Sequence, residues 1–368
     1  MKNIAVFFGG TTVEHDVSVI TGVLTINSLD KNKYNGVPVY VHNDGLWYTG
    51  ESLKDLDDYK NLDLNQLERV TVIAGKDVLY KVVKDKKIKP ICKIATAINC
   101  LHGERGEDGS LAGLLAMCEI PLVSPSLLPS AVSMDKCFSK IVMQGLGIKS
   151  LPYVSITEKD DLESIVKAVK YPVIIKPACS GSSVGISKAE NEEEFTSGVL
   201  CALRYGEKVI IEPFITGHKE INCAAYSVGG EIIVSECEQP VGKGAYLSFS
   251  DKYTGGERIF PADIDKSVAE KIKAITEKVY RELGFNGVIR IDYFVKGEEI
   301  YLNEINSVPG SLAFYLFSET LKGFTKMLDN MIVDAEQRFA KATTLNRKYS
   351  SGILSFSGSK GAKRKKGR

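Results

Sequence analysis

The chain has 368 residues, of which 44% are hydrophobic and 25% charged, with a formal net charge of +1. That length exceeds what one hydrophobic core usually organises, so two or three domains of ordinary globular composition are expected. Eight scattered cysteines without CxxC spacing argue against a disulfide framework or a zinc site and for reduced thiols in a cytoplasm. The apolar run 4–8 is too short for a signal-peptide core, and no stretch approaches the roughly 20 apolar residues of a membrane span.

In chain order, the sequence predicts a strand at 3–8, a Gly9-Gly10-Thr11-Thr12 turn, a helix over 13–29 and a strand at 37–41. Residues 43–90 are charged and weakly periodic, and read as a variable insertion with a hairpin at 46–48. A strand at 94–101 leads into His102-Gly-Glu-Arg-Gly-Glu107-Asp-Gly and a helix at 110–118. Alternation of this kind predicts a parallel α/β sheet with ligands at the carboxyl ends of its strands. Beyond Pro121 come a helix at 134–145, strands at 154–156 and 173–176, a Gly/Ser loop at 180–185, and a strand at 209–212. Helices near 160–169 and 191–205 complete an α+β unit with antiparallel strands. A third part holds strands at 220–228 and 231–237, joined by Gly229-Gly230, a hairpin signal. Residues 238–260 read as a long irregular stretch, and loops of that length inside domains are usually functional. The helix over 265–283 has a 3.6-residue stripe of Val268, Ile272, Ile275, Val279 and Leu283. From Lys341 onward there are nine Lys and Arg and no acid. That basic tail is expected to be disordered, either a solvated appendage or a contact for RNA or an anionic membrane. The acidic remainder argues against nucleic acid as the main partner.

Residues 288–306 carry the sharpest physical signal. Alternation puts Arg290 and Asp292 on one face of the first strand, and Glu304 and Asn306 on one face of the second. A hairpin centred on residue 298 sets Asp292 directly opposite Glu304. Opposed carboxylates repel and need compensation. A hard cation is one solution, since Asp, Glu and Asn oxygens together with phosphate suit Mg²⁺. A solvated edge hairpin in which Arg290 neutralises Asp292 is the other. Upstream, the strand ending at Lys176-Pro177 runs into Ser180-Gly181-Ser182-Ser183-Val184-Gly185. Small residues there let backbone N–H groups approach phosphate, and Lys136 and Lys176 supply charge. The GxxxxGK[ST] loop is absent, as is a GxGxxG after the first strand.

Taken together these motifs resemble D-alanine–D-alanine ligases of the ATP-grasp superfamily, over residues 3–340. The stretches that carry the resemblance are 8–18 (Phe-Gly-Gly-Thr-Thr-Val-Glu14-His-Asp-Val17-Ser), 102–109, Ser133-Met-Asp-Lys136, Lys176-Pro with 181–185, Lys252-Tyr253, Arg290-Ile-Asp292, and Asn303-Glu304-Ile-Asn306 with Pro309-Gly310. The resemblance implies an ATP-grasp fold of three lobes, α/β and α+β, with a Rossmann-like N-terminal domain. The expected division is 1–125, 126–215 and 216–341, followed by the tail 342–368. It also implies a two-step reaction: D-alanine attacks the γ-phosphate of ATP to give an acyl phosphate, and a second amino acid's amine displaces phosphate. Lys136 and Lys176 would hold the α/β-phosphates under a loop containing Ser182 and Ser183, Glu212 would bind near the adenine, and Glu220 the ribose. Glu220 follows Gly217-His218-Lys219, one residue longer than the usual spacing. Asp292, Glu304 and Asn306 would hold two Mg²⁺, for which Mn²⁺ can substitute, and Arg290 and the Gly310 N–H would stabilise the oxyanion. Glu14 would bind the first ammonium, with Val17 on the methyl and His102 by the carboxylate. Glu14, Ser182 and Tyr253 would form a closing triad, and Lys252 would reach the γ-phosphate and the second carboxylate. A cytoplasmic homodimer making cell-wall precursor is also implied. Without the resemblance, His102 would serve equally as a capping or core histidine, Glu14 as a first-turn glutamate, and Lys252-Tyr253 as loop surface.

Two departures touch the second-substrate pocket. Tyr315, followed by Leu316, stands where the family has a serine, and 246–251 replaces a Tyr-Asp-Tyr run. Vancomycin-resistance D-lactate ligases carry a lid histidine that this lid lacks, which favours an amine nucleophile. Three functions follow: D-alanine–D-alanine ligation, a related ligase using another amine such as D-serine, or a binding protein on the same scaffold. The complete Arg290/Asp292/Glu304/Asn306 set argues against the last.

Overall fold

The computed structural model describes residues 1–84, 87–242, 257–345 and 349–351. The N-terminal sheet is built from β1 (Lys2–Gly9), β2 (Tyr34–Val41), β3 (Trp47–Thr49), β4 (Glu68–Ile73), β5 (Lys76–Val83), β6 (Lys87–Lys93), β7 (Thr96–Asn99) and β8 (Leu122–Val123), in the order 6-5-4-3-2-1-7-8. Strands 2, 1, 7 and 8 are parallel, as the sequence pattern predicts, and the rest pair antiparallel. Residues 43–90 are therefore more than an insertion with a short hairpin. They extend the same sheet by an antiparallel meander, whose half-exposed strands blur the period-two signal. Helix α1 (His15–Ser28) crosses β1, and α2 (Ser110–Met117) follows the 102–109 loop.

The expected helix at 134–145 is divided. Asp135 takes an extended conformation between α3 (Leu127–Met134) and α4 (Lys136–Gly145), and its carboxylate accepts the N–H groups of Cys137 and Phe138. This N-cap places Lys136 at the first position of α4. The second sheet, β9 (Val154–Thr157), β10 (Val173–Pro177), β11 (Ser187–Ala189) and β12 (Lys208–Pro213), is antiparallel in the order 11-10-12-9. Val173, Ile175, Val209 and Ile211 pack with residues of α5 (Leu162–Ala168) and α6 (Glu192–Ala202). Ile174, Lys176 and Glu212 line the cleft on the opposite face.

The third sheet comprises β13 (Lys219–Val228) and β14 (Glu231–Val234), and later β17 (Val288–Lys296) and β18 (Glu299–Asn306), in the order 14-13-17-18. Between them, β15 (Gln239–Val241) and β16 (Glu257–Ile259) form a small ladder. The stretch 238–260 is thus not irregular throughout, because its two ends are zipped together. One face of the third sheet (Ile221, Cys223, Ile289, Ile291, Tyr293) packs on α7 (Lys266–Glu282) through Val268, Ile272 and Val279. Ala224, Tyr226 and Val288 join a core shared with α1 and α8 (Leu321–Thr343). Among the described residues no helix is long and apolar enough to cross a membrane, and all eight cysteines are free thiols.

Helix α1 sits close to β1 because residue 22 is glycine: a Cβ there would lie 2.3 Å from Phe8 Cγ, in a ring with no exposed surface. Alanine is the better helix former by about 1 kcal/mol, yet overpacking of this kind costs about 1–3 kcal/mol. Gly22→Ala is expected to lower stability in denaturant unfolding; a variant as stable as the wild type would contradict this close approach.

Candidate active site

The cleft lies between the second and third sheets, a space of about 830 Å³ counted to its open mouth. Its floor is set by the register of the third sheet. Asp292 pairs directly with Glu304 on one side and with Asn222 on the other, and Asn222 bridges to Glu238. Directly paired residues share a face, so Glu238, Asn222, Asp292 and Glu304 make one polar row across the sheet. Flanking rows are Ala224, Arg290 and Asn306 on one side, and Glu220, Phe294 and Tyr301 on the other.

The Asp292–Glu304 pairing expected from the hairpin is present, but by a different route. The turn pairs Lys296 with Glu299, half a residue short of the expected centre, which would set Asp292 against Asn303. A register shift between Asp292 and Tyr293 restores the pairing. The core confirms the shift: Ile300 and Leu302 face α7 before it, and Ile305 after it. A bulge leaves an extra residue unpaired and re-aims a side chain, so both Asn303 and Glu304 line the cleft.

Each charge here has a partner. Arg290 grips Asp292 with two parallel hydrogen bonds of 2.7 and 2.9 Å, and Asn306 Nδ2 donates to Asp292 Oδ2 at 3.1 Å. Lys136 Nζ lies 3.6 Å from Glu304 and donates to the Ser180 carbonyl at 2.7 Å. Lys176 Nζ is 2.6 Å from Glu212 and donates to Asn303 Oδ1 at 3.2 Å, which joins the two sheets. Lys140, which the sequence reading missed, is 2.5 Å from the other Glu212 oxygen. Burial opposes the charge on Lys176, but Glu212 and Glu304 outweigh it and hold its pKa above the ordinary lysine value. Burial likewise works against the Glu212 carboxylate, and Lys176 and Lys140 more than offset it, so its pKa is lowered. Glu220 lines the cleft beside Phe294 and His218.

Among the described residues no three His, Cys, Asp or Glu side chains cluster as a metal cage. Asp292, Glu304 and Asn306 nonetheless present a hard, all-oxygen donor set on one face. Such a set fits a cation that takes its remaining ligands from phosphate and water.

The N-terminal lobe closes the other end. Glu14 is the N-cap of α1 rather than a first-turn residue, and its carboxylate accepts the Ser182 hydroxyl proton. Glycine at 181 permits this, since a Cβ there would sit 2.7 Å from Glu14 Oε2. Ser182 and Ser183 take left-handed conformations, φ 51° and 60°, which turn the loop over the cleft. Val17 is buried on α1, and the Leu316 side chain belongs to the core. Gly310 opens a short turn in which Ser311, Leu312 and Ala313 are all left-handed. Lys252 and Tyr253 lie outside the described residues, as does the tail beyond 351.

Glu107 of the 102–109 loop and Thr21 of α1 fix that turn. Glu107 accepts the N–H groups of Gly103 (2.9 Å) and Val308 (3.0 Å); burial and the nearby Glu14 raise its pKa. Thr21 Oγ1 accepts the Ser311 N–H at 3.0 Å and lies 3.1 Å from His102 Nε2. The His102 ring also bonds the Val308 backbone, whose carbonyl can only accept, so the neutral ring keeps its proton on that side and takes the Thr21 hydroxyl hydrogen at Nε2. Burial, reinforced by Arg290, pushes its pKa down to about 4 from 6.5. A histidine held neutral in the fold contributes full stability above the unfolded pKa and loses it as pH falls toward the folded one. His102→Gln, which cannot titrate, is expected to remove about 3 kcal/mol of the fall in unfolding free energy between pH 7 and 4. Parallel stability curves for the two proteins would contradict a buried neutral imidazole.

Comparison with known proteins bears on this geometry. The family pattern described as D-ala D-ala ligase N-terminus matches residues 3–125, and that described as D-ala D-ala ligase C-terminus matches 142–333. The D-alanine–D-alanine ligase of Thermosipho melanesiensis is 33% identical over 350 residues, covering 92% of this chain and 95% of that protein. The D-alanine–D-alanine ligase from Coxiella burnetii shares the fold with a TM-score of 0.82 at 24% identity, covering 94% of this chain and 97% of that one. The VanG D-Ala:D-Ser ligase from Enterococcus faecalis aligns with a TM-score of 0.77 at 27% identity, over 91% and 99% of the two chains. With both halves of the pattern matched in order along nearly its full length, the chain belongs to the D-alanine–D-alanine ligase family.

Proposed function

We propose that this protein is an ATP-dependent D-alanine–D-alanine ligase that makes the dipeptide for cell-wall precursor. What carries this reading is one juxtaposition: two lysines of the second sheet's lobe face an opposed carboxylate pair and an arginine on the third. A binding module needs cations for phosphate, but it has no use for a guanidinium beside the metal-type carboxylates.

Lys136 and Lys176 neutralise the α- and β-phosphates, with Ser182 and Ser183 folded over them and the nucleoside between Glu212, Glu220 and Phe294. Asp292, Glu304 and Asn306 hold magnesium, with manganese able to replace it. When bound, the metal supplies charge neutralisation on the transferring phosphoryl group. Glu14 receives the first substrate's ammonium, with Val17 against its methyl and His102 near its carboxylate. Arg290 and the Gly310 N–H meet the oxyanion that forms when the second amine attacks. The left-handed turn at 311–313, anchored through Thr21 and Glu107, sets where that N–H points. Lobes at 1–125, 126–215 and 216–341, a cytoplasmic location and a homodimer complete this proposal.

The direct test is phosphate release with Mg²⁺, ATP and D-alanine alone, then with other second amino acids, with products identified by mass. Brisk formation of D-alanyl-D-alanine from D-alanine alone is expected. Turnover only with another partner, D-serine among them, would move the function to that product. Arg290→Ala is expected to lower turnover about 10²–10³-fold, the scale of one oxyanion donor, with ATP affinity nearly unchanged. Wild-type rates in that variant would remove Arg290 from the chemistry.

A further inference from the structure

The polar row does not end at the carboxylate pair. Its outer member, Glu238, is buried, with 5% of its side chain exposed, and holds Arg258 at 3.0 Å through one guanidinium nitrogen. Its second oxygen accepts Asn222 Nδ2 at 3.2 Å, and the Glu238 and Asn222 backbones exchange two hydrogen bonds. Arg258 therefore stands on β16 over a fixed, buried anchor. Its guanidinium carbon lies 5.1 Å from the Tyr315 ring centre and 5.4 Å from that of Phe260. Tyr315 in turn accepts a long hydrogen bond, 3.5 Å, from Arg290 at its hydroxyl. One tyrosine thus connects the proposed oxyanion donor to a second arginine that no step so far employs.

A guanidinium carries five N–H donors. Among the described residues, Glu238 is the one carboxylate paired with Arg258, and 40% of the Arg258 side chain remains exposed. An arginine held over aromatic rings with one carboxylate partner keeps further donors for a planar, two-point acceptor. In the proposed reaction the first substrate's carboxylate is consumed. The second amino acid's carboxylate stays anionic throughout and needs a donor beside the oxyanion site. Tyr315, which stands where the family has a serine, lies against Arg258 on one side and Arg290 on the other. We infer that Arg258, backed by Glu238 and held over the Tyr315 ring, binds the carboxylate of the second substrate. Arg258 thereby sets the preference for a free amino acid as nucleophile; this inference rests on the ligase function proposed above.

The test uses the full chain with Mg²⁺, ATP and D-alanine, comparing wild type with Arg258→Gln and Arg258→Lys. Losing one charged hydrogen-bonding partner is expected to raise the KM for the second D-alanine about ten- to hundredfold. The lysine variant should recover part of that, and the KM for ATP should stay within about twofold. D-Alaninamide as the nucleophile separates binding from scaffolding, because it lacks the carboxylate. The wild type should favour D-alanine over D-alaninamide by about tenfold or more, and Arg258→Gln should erase the difference. An unchanged second KM, or intact discrimination in Arg258→Gln, overturns the inference while leaving the ligase function standing. Absence of dipeptide from the wild type overturns both.

Discussion

Carboxylates set side by side across a β-sheet repel one another, and the whole cleft is arranged around a row that contains three of them. Glu238, Asp292 and Glu304 lie at one level of the third sheet, with Asn222 as the spacer. Each acid meets a cation from a different place: Arg258 on β16, Arg290 on the same strand as Asp292, and Lys136 from the start of α4. Taking a cation away from a largely buried carboxylate leaves that charge uncompensated, so each cation has to be delivered to its acid. Helix α4 must bring its first residue to Glu304, and the Asp135 cap that separates it from α3 does so.

The same logic ties the lobes together. Lys176 spans from Glu212 on the second sheet to Asn303 on the third. Glu14 reaches from the N-cap of α1 to Ser182 in the Gly/Ser loop. Glu107, Thr21 and His102 converge on residues 308–311, just where three left-handed residues turn the chain, a conformation that costs about 1–2 kcal/mol per residue. Strain of that kind persists only where the surroundings over-determine it, and here a buried histidine and a glutamate from the other end of the chain do so. The chemistry proposed for Arg290 and Gly310 thus depends on contacts more than 200 residues apart in sequence.

Much of this was legible in the residues alone. Period-two alternation placed Arg290, Asp292 and Asn306 on the cleft face, and strand–turn–helix alternation gave the parallel centre of the N-terminal sheet. The Asp292–Glu304 opposition was also foreseen, although a tighter turn and a bulge cancel to produce it. No alternation rule contains that bulge, which is why Asn303 went unnoticed as a cleft residue. Asn222, Glu238 and Lys140 escaped for a related reason: their importance lies in cross-strand and inter-sheet partners, not in any local motif. Strands 4–6 are obscured because β4 and β5 are part-exposed on both faces and β6 is exposed along nearly its whole length. Helix α8, absent from the sequence reading, carries a plain stripe of Phe324, Met327, Leu328, Met331, Ile332 and Ala335 that periodicity exposes.

The opposed carboxylates are proposed to receive a metal–nucleotide complex rather than to balance Arg290 and Lys136 for the sake of the fold. Calorimetric titration of ATP into the protein, with and without Mg²⁺, addresses this most directly, using the wild type and Glu304→Gln. The expected result is ATP binding strengthened by Mg²⁺ about tenfold or more in the wild type, with most of that gain lost in Glu304→Gln. Equal ATP affinity with and without Mg²⁺, or a Mg²⁺ effect untouched by Glu304→Gln, would contradict it.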